Sequence, residues 1–189
     1  MTEYLVKPAR FKEAFLVSVE RTRNGGNPRV VGRDGKAVRA GDPRGAERFR
    51  VHRTLGTLAD ELGFDYRRSY LGMGAVFLVR DEGGGAGLPG AGSIVVVAIE
   101  HEDAIMYSPA KMKKLVAWNA PLKVLITYPP EGTAKGYLRH YAHIIGLQDL
   151  FKDFSFLRRH LLVFGTRPGN GAPSSWQFFH YLLGEFRPL

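Results

Sequence analysis

Two apolar segments separated by a short helical segment occupy residues 93–128, and they constrain the fold more than any other part of the chain. The first covers residues 93–99 and the second covers residues 121–128. Each has the length of a strand, and each is too apolar to lie anywhere but the protein interior. Between them, Ser108 followed by Pro109 is a typical helix start, with serine at the cap and proline at the first helical position. These segments predict two buried strands connected by a helix.

Periodicity in the rest of the chain predicts further helices and strands. Strands that come first in a chain and are then separated by helices are typical of a mixed sheet with helices on both faces. We therefore expect an α/β fold with a mixed central sheet flanked by helices. The predicted segments are a helix at 9–20, a helix at 46–62, one or two strands at 65–80 with a kink at 72–74, a glycine-rich loop at 83–92, a helix at 133–145, a strand at 160–165, and a segment at 176–189 that periodicity leaves open between strand and helix.

The composition is that of a single folded domain spanning residues 1–189. With 44% hydrophobic residues, a chain of this length can bury a core. No apolar run reaches the length of a membrane span, and the N-terminus lacks the apolar core of a signal peptide. The sequence contains no cysteine, which excludes a disulfide framework and thiolate metal ligands. We therefore expect a cytoplasmic protein that does not enter a membrane.

Basic residues outnumber acidic ones, since 27 lysines and arginines against 18 aspartates and glutamates give a formal net charge of +9. Such an excess favours a polyanionic partner, most simply nucleic acid. Arg33 and Arg39 lie in a basic segment rich in glycine and arginine at 21–45, which is predicted to be a loop. They could reach phosphates, and a solvated linker is the alternative interpretation. Arg67 and Arg68 are further candidates for contact with a nucleic-acid backbone.

Glu100 and Glu102 end the first apolar segment and leave it on the same face, because side chains alternate along a strand. Like charges this close repel each other unless a cation or a basic side chain lies between them. Mg²⁺ prefers oxygen ligands of this kind. The pair therefore predicts either a metal site or a structural ion pair, for which the candidate partners are Lys114, Lys123, Arg67 and Arg68. His101 points to the opposite face, and we expect it to be a hydrogen-bonded core residue.

The predicted element order, with an acidic pair ending the third strand, resembles the PD-(D/E)XK nuclease superfamily, which has the restriction endonuclease-like fold. The specific part of the resemblance is the sequence VAIEHED at 97–103, followed by Lys114 and Leu115 on a helix and by the strand at 121–128. The similarity covers about residues 46–165. It implies a restriction endonuclease-like core within the mixed sheet.

The resemblance also implies a metal-dependent enzyme that hydrolyses DNA phosphodiester bonds with Mg²⁺ or Mn²⁺. By this resemblance Glu100 would be the metal ligand of the third strand, and Glu102 would occupy the position where these enzymes usually have a lysine. Lys114 or Lys123 would then have to reach the site from a neighbouring element and stabilise the developing charge. DNA is the expected substrate more than RNA. Because many members of this fold act as dimers, the resemblance also raises the prospect of a homodimer.

The second core strand departs from the family pattern. Those enzymes carry an acid there, whereas this chain has Gly72, Met73 and Gly74, and Asp65 and Asp81 lie at the two ends of the predicted strand. Two hypotheses therefore stay open: a metal-dependent nuclease, and a catalytically inactive nucleic-acid-binding or scaffold protein that keeps the nuclease-like fold. A further carboxylate within reach of the third-strand acid would favour catalysis, and a glycine-lined gap would favour the inactive protein.

Overall fold

A computed structural model describes residues 5–24, 43–79, 94–148, 159–167 and 173–189, and within these ranges seven strands form one sheet. Helices and strands follow one another along the chain largely in the order that the sequence predicts. In chain order they are α1 (Pro8–Asn24), α2 (Pro43–Leu62), β1 (Asp65–Tyr70), β2 (Met73–Leu78), β3 (Val95–Glu102), a 3₁₀ turn (Ile105–Tyr107), α3 (Ser108–Ala117), β4 (Leu122–Thr127), α4 (Ala134–Gln148), β5 (Arg159–Thr166), β6 (Ser175–Leu182) and β7 (Glu185–Pro188).

The strands are neighbours in the order in which they occur along the chain. Strands β1 to β3 are antiparallel, β3 to β5 are parallel, and β5 to β7 are again antiparallel. A parallel pair needs a crossover connection, and α3 and α4 lie in the chain where those crossovers are required. Glu100 is level with Leu125 of β4 in the register. The carboxyl ends of β3, β4 and β5 therefore meet at one edge of the sheet.

Each face of the sheet is covered by a pair of helices, which confirms the predicted mixed sheet flanked by helices. Helices α1 and α2 pack on one face and α3 and α4 on the other. Along β4 the core residues alternate, because Val124 and Ile126 belong to the first face and Leu125 to the second. Core members are Phe11, Phe15, Leu55, Leu58 and Phe77 on the α1–α2 face and Met112, Leu115, Tyr141, Ile145 and Leu162 on the α3–α4 face.

The two segments whose secondary structure periodicity leaves open both form β-hairpins. The segment at 65–80 contains two strands, β1 and β2, which are separated by a turn at Leu71 and Gly72 with φ of 46° and 81°. The segment at 176–189 contains β6 and β7, and its turn at Leu183 and Gly184 has φ of 52° and 90°. In both turns glycine follows a residue in the left-handed region, where a side chain is strained.

The helices differ from the prediction mainly at their ends. Helix α1 continues to Asn24 and α2 begins at Pro43, so both extend into the segment predicted to be a basic loop. The prediction that Ser108 caps α3 is wrong: Tyr107 holds the cap position, and the Ser108 hydroxyl donates to the Ile105 carbonyl. Arg33, Arg39 and the predicted loop at 83–92 lie outside the described residues. No helix among the described residues is both long enough and apolar enough to cross a membrane.

Candidate functional site

Glu100 is a buried carboxylate on a central strand. Its side chain is only 1% exposed, because β2 and β4 flank it in the sheet and α3 covers its face. Removing a charge from water costs several kcal/mol unless partners replace the lost hydration. The functional question at this site is therefore what compensates the charge of Glu100.

Two lysines of α3 and one backbone amide provide the compensation. The Lys111 Nζ lies 3.0 Å from Oε2 of Glu100, and the Lys114 Nζ forms an ion pair with Oε1. The two lysines are three residues apart, so they lie on the same face of the helix. The amide of Gly74 donates to Oε1 at 3.0 Å. Sequence reasoning identified Lys114 as a candidate partner and missed Lys111, although helical spacing from Lys114 could have indicated it.

Gly74 lies beside Glu100 on β2, the second strand of the core. A Cβ atom at Gly74 would lie 3.3 Å from Oε2 of Glu100 and 3.2 Å from the carbonyl oxygen of Ile99, which is tighter than ordinary contact. A side chain at this position would therefore require the neighbouring atoms to move by a few tenths of an ångström, whereas glycine lets β2 approach the carboxylate closely. Lys114 also donates to the carbonyl of Gly72 in the preceding turn. At this point on β2 the backbone, and not a second acid, contacts Glu100.

Glu102 has a separate environment, although alternation predicts the same face for both acids. It ends β3, it is partly exposed, and its Oε1 accepts a hydrogen bond from the amide of Ala104 at 3.0 Å. Among the described residues, no group of three or more histidine, aspartate or glutamate side chains is arranged so that it could hold a metal ion. The two ammonium groups around Glu100 leave a local excess of one positive charge. Such an excess disfavours a divalent cation at the same position.

Lys123 is buried at the carboxyl end of α3. Its side chain is 1% exposed, and its Nζ donates to the carbonyl of Val116 at 2.7 Å. The last carbonyls of a helix lack partners within the helix and carry partial negative charge, so this position favours a cation. In the register Lys123 is level with Ala98, two residues before Glu100. Lys123 therefore interacts with the end of α3, whereas Lys114 interacts with Glu100.

Arg67 and Arg68 are exposed on β1, the strand at one edge of the sheet. They lie on opposite faces, because Arg67 pairs with Val76 of the α3–α4 face and Arg68 pairs with Ala75 of the α1–α2 face. Arg67 is thus the one of the two that shares a face with Glu100. Arg67 and Arg68 therefore cannot both contact one nucleic-acid backbone from a single face of the sheet.

A second polar cluster lies at the carboxyl ends of the parallel strands. His101 Nε2 is 3.0 Å from the hydroxyl of Tyr128 and 3.4 Å from Oδ1 of Asp103. Arg167 donates to Oδ1 of Asp103 at 2.8 Å, and its guanidinium lies 3.3 Å from the centre of the Tyr128 ring. Burial, the largest single effect, lowers the pKa of Arg167, but the interactions with Asp103 and Tyr128 together outweigh it, so the pKa of Arg167 lies above its usual value. The prediction that His101 is a hydrogen-bonded core residue is confirmed.

Sequence reasoning missed Tyr128 and Arg167, each of which directly follows a parallel strand. That position was the available signal, because the carboxyl ends of parallel strands meet at one edge. Gly165 makes room for the cluster: a Cβ atom there would lie 2.5 Å from Cε1 of Tyr128. The aromatic ring can occupy its place beside Arg167 only because position 165 has no side chain.

Comparison of the chain with models of known protein families and with curated protein sequences finds no match. Lys111 and Lys114 are about a third exposed, at 33% and 34%, so both ammonium groups contact Glu100 and also face solvent. A cluster with this charge and exposure can attract an anion such as a phosphate group.

Proposed function

We propose that the protein binds nucleic acid with the face of the sheet that carries α3, and that it does so without cleaving it. The observation that carries this proposal is that the negative charge of Glu100 is already compensated within the chain. Its two oxygens face Lys111, Lys114 and the amide of Gly74. A carboxylate that is already neutralised by side chains of its own chain acts as an anchor for those lysines, which in turn present positive charge to solvent.

The basic surface extends beyond the two lysines. Lys113 is exposed on α3, and Arg67 is exposed on the same face of the sheet, two strand positions from β3. Lysine and arginine contacts to phosphates supply affinity and orientation without reading the base sequence. The net charge of +9 supports a polyanionic partner for the chain as a whole. We therefore propose backbone contacts, with DNA as the first polymer to test.

The element order supports the finer fold assignment as part of the same proposal. From α2 to β4 the chain runs helix, strand, strand, strand, helix, strand, with the buried acid on the third strand. This is the order on which the resemblance to the restriction endonuclease-like core rests. A core that keeps this order while glycine replaces the second-strand acid is the arrangement that we expect of an inactive relative.

A Mg²⁺-dependent DNA nuclease is the second candidate, and one observation favours it. Glu100 lies on the third strand with Lys114 in ion-pair contact, which brings together the acid and the lysine that such a site combines. In that case Glu100, with Glu102, would hold the cation, which would polarise the phosphate and lower the pKa of the attacking water. This candidate requires both lysines to release Glu100, because their charge opposes the cation.

Plasmid binding and cleavage distinguish the two candidates. We expect the wild-type protein to retain supercoiled plasmid in a salt-dependent manner and to leave it uncut with Mg²⁺ or Mn²⁺. Lys111→Ala/Lys114→Ala is expected to weaken retention and to reduce the slope of log affinity against log salt by about two, roughly one for each lost phosphate contact. Arg10→Ala/Arg68→Ala is the matched control, because it removes the same charge from the α1–α2 side of the protein and is expected to leave the slope nearly unchanged.

Cleavage that depends on Mg²⁺ and disappears in Glu100→Gln would overturn the first candidate and support the nuclease. Thermal unfolding of each variant shows whether it is folded before the assay is interpreted. Equal loss of retention in the two double variants would contradict a binding face at α3. No retention by the wild-type protein at moderate salt would contradict both candidates.

A further inference from the structure

A cavity of 1350 Å³ lies beside the amino end of β5, and no residue of β3 or α3 lines it. Its walls come from the start of α1, from α4, from the first residues of β5 and from the hairpin of β6 and β7. It is therefore separate from the Glu100 site and from the cluster at the carboxyl ends of the parallel strands.

Positively charged side chains from distant parts of the chain converge on this cavity. Lys7 comes from the segment before α1, Lys135 and Arg139 from α4, and Arg159 from the start of β5. None of these four has an ion-pair partner among the described residues. Glu185 is the acidic residue that lines the cavity, and its Oε1 forms an ion pair with Arg187 at 2.7 Å.

Helix α4 presents its charge as a stripe. Lys135, Arg139 and His143 are spaced four residues apart, so they lie on one face of the helix, and all three are exposed. Lys135 and Arg139 are both cations, and like charges at this spacing destabilise a helix by about 0.2–0.5 kcal/mol per pair. The stripe and Arg159 therefore create a local positive potential that the described residues do not neutralise, and an anion in the cavity would do so.

The wall of the cavity is apolar as well as cationic. Leu138 and Ala142 lie between the charged positions of α4, and Tyr181 and Phe186 come from the opposing hairpin. Pockets for single small molecules usually measure about 300–1,000 Å³. This cavity exceeds that range, and it offers surfaces for both an anionic group and a ring. A ligand with a phosphate and an aromatic base fits this combination better than an inorganic anion does.

We propose that the cavity binds the terminal nucleoside phosphate of a nucleic-acid strand. The phosphate contacts Arg139, Arg159 and their basic neighbours, while the base packs against the apolar wall near Tyr181. This inference deepens the proposed nucleic-acid binding and rests on it, because it adds recognition of a strand end to the backbone contacts at α3. A free nucleotide presents the same chemistry, and the experiment separates the two sources.

Fluorescence anisotropy with a short single strand, labelled at an internal base, tests the proposal. One version of the strand carries phosphate at both ends and the other carries hydroxyl groups. We expect the wild-type protein to bind the phosphorylated strand about tenfold more tightly, as one well-placed charge-assisted contact provides. Arg139→Ala/Arg159→Ala is expected to abolish this preference, and Arg139→Lys/Arg159→Lys to retain part of it. The control Arg10→Ala/Arg68→Ala removes the same charge outside the cavity and is expected to keep the preference.

Equal affinity of the wild-type protein for the two strands would overturn the proposal, as would a preference that survives in Arg139→Ala/Arg159→Ala. Displacement of the phosphorylated strand by AMP at the strand's own concentration would assign the cavity to a free nucleotide and overturn the strand-end claim. Equal displacement by inorganic phosphate would overturn the role of the apolar wall.

Plasmid retention by the same variants is measured separately. A terminal-phosphate preference without plasmid retention contradicts the α3 surface alone, whereas retention without the preference contradicts the cavity alone.

Discussion

The surroundings of Glu100 and the cavity at α4 both concentrate positive charge, but they treat it differently. At the first, Lys111 and Lys114 converge on a buried carboxylate that neutralises part of their charge. At the second, cations converge without a carboxylate partner among the described residues. Charge that is compensated within the chain contributes to stability, whereas charge left uncompensated in a cavity favours binding of an external anion.

The two regions should therefore respond oppositely to the loss of a charge. Around Glu100 the partners are partly or fully buried, so removing one leaves another without compensation. In the cavity, removal of one cation relieves repulsion among the others. Measurements of the free energy of unfolding can separate these cases without knowledge of any ligand.

The largest effect is expected for Glu100→Gln. The substitution leaves two ammonium groups beside a neutral amide in a site where Glu100 is 1% exposed, and we expect a loss of about 2–4 kcal/mol in the free energy of unfolding. The lower part of the range reflects the partial exposure of both lysines, which can turn toward water. Urea denaturation measures the loss.

Glu102→Gln is the matched control at the end of the same strand, where a change within about 0.5 kcal/mol is expected. An equal loss in both variants would refute the assigned role of Glu100.

A somewhat smaller loss is expected for Lys114→Ala. Lys114 contacts both Glu100 and the carbonyl of Gly72, and hydrogen bonds to charged groups contribute about 1.5–3 kcal/mol. Because Lys111 still faces the carboxylate, we expect a loss near the lower end of this range. Lys113→Ala, on the exposed side of the same helix, should change the free energy of unfolding by less than about 0.5 kcal/mol. If Lys113→Ala costs as much as Lys114→Ala, helix propensity and not the ion pair controls the result.

Gly74→Ala tests the close approach of β2 to Glu100. The added methyl group would press on Oε2 of Glu100 and on the Ile99 carbonyl, and overpacking of this kind costs about 1–3 kcal/mol. We expect a loss near the lower end, because a shift of a few tenths of an ångström relieves the contact. Gly136→Ala in α4 is the control: no atom lies within 4 Å of its added Cβ, so a gain of about 0.5–1 kcal/mol is expected. Thermal unfolding of the two variants should therefore shift in opposite directions.

The smallest effect is expected for Arg139→Ala. Since Arg139 is exposed and contributes to an uncompensated stripe, the free energy of unfolding should stay within about 0.5 kcal/mol of the wild-type value. Any change should favour the variant at low salt and fade as salt screens the repulsion. A clear destabilisation by Arg139→Ala would show that the cavity cations stabilise the fold, and it would remove the contrast with Lys114.

Much of the framework around Glu100 follows from local sequence patterns. The run of apolar residues before Glu100 predicts β3, and the run at 121–128 predicts β4, because such segments must be buried. Spacing also places Met112, Leu115 and Val116 toward the core in α3. The turns at Leu71 and Leu183 could not be predicted in the same way, since a leucine with positive φ is atypical.

The partners of each charge could not be predicted from the pattern alone. Alternation along β3 puts Glu100 and Glu102 on one face, yet only Glu100 lies under the lysines of α3. Alternation along a strand predicts the face of the sheet on which a side chain lies, but it does not predict which element packs over that side chain. The position of α3 over the sheet decides that, and Glu102 lies beyond it at the end of the strand.

Local periodicity and composition are enough to predict the α/β class, the burial of β3 and β4, and the positive charge of the whole chain. Which charged side chains meet depends instead on the folded arrangement of the helices and strands. This arrangement brings Gly74 and Lys114 to Glu100 and gathers Lys7, Arg139 and Arg159 around one cavity. Such contacts depend on strand order, register and helix placement, and these are set by packing between residues far apart in the chain.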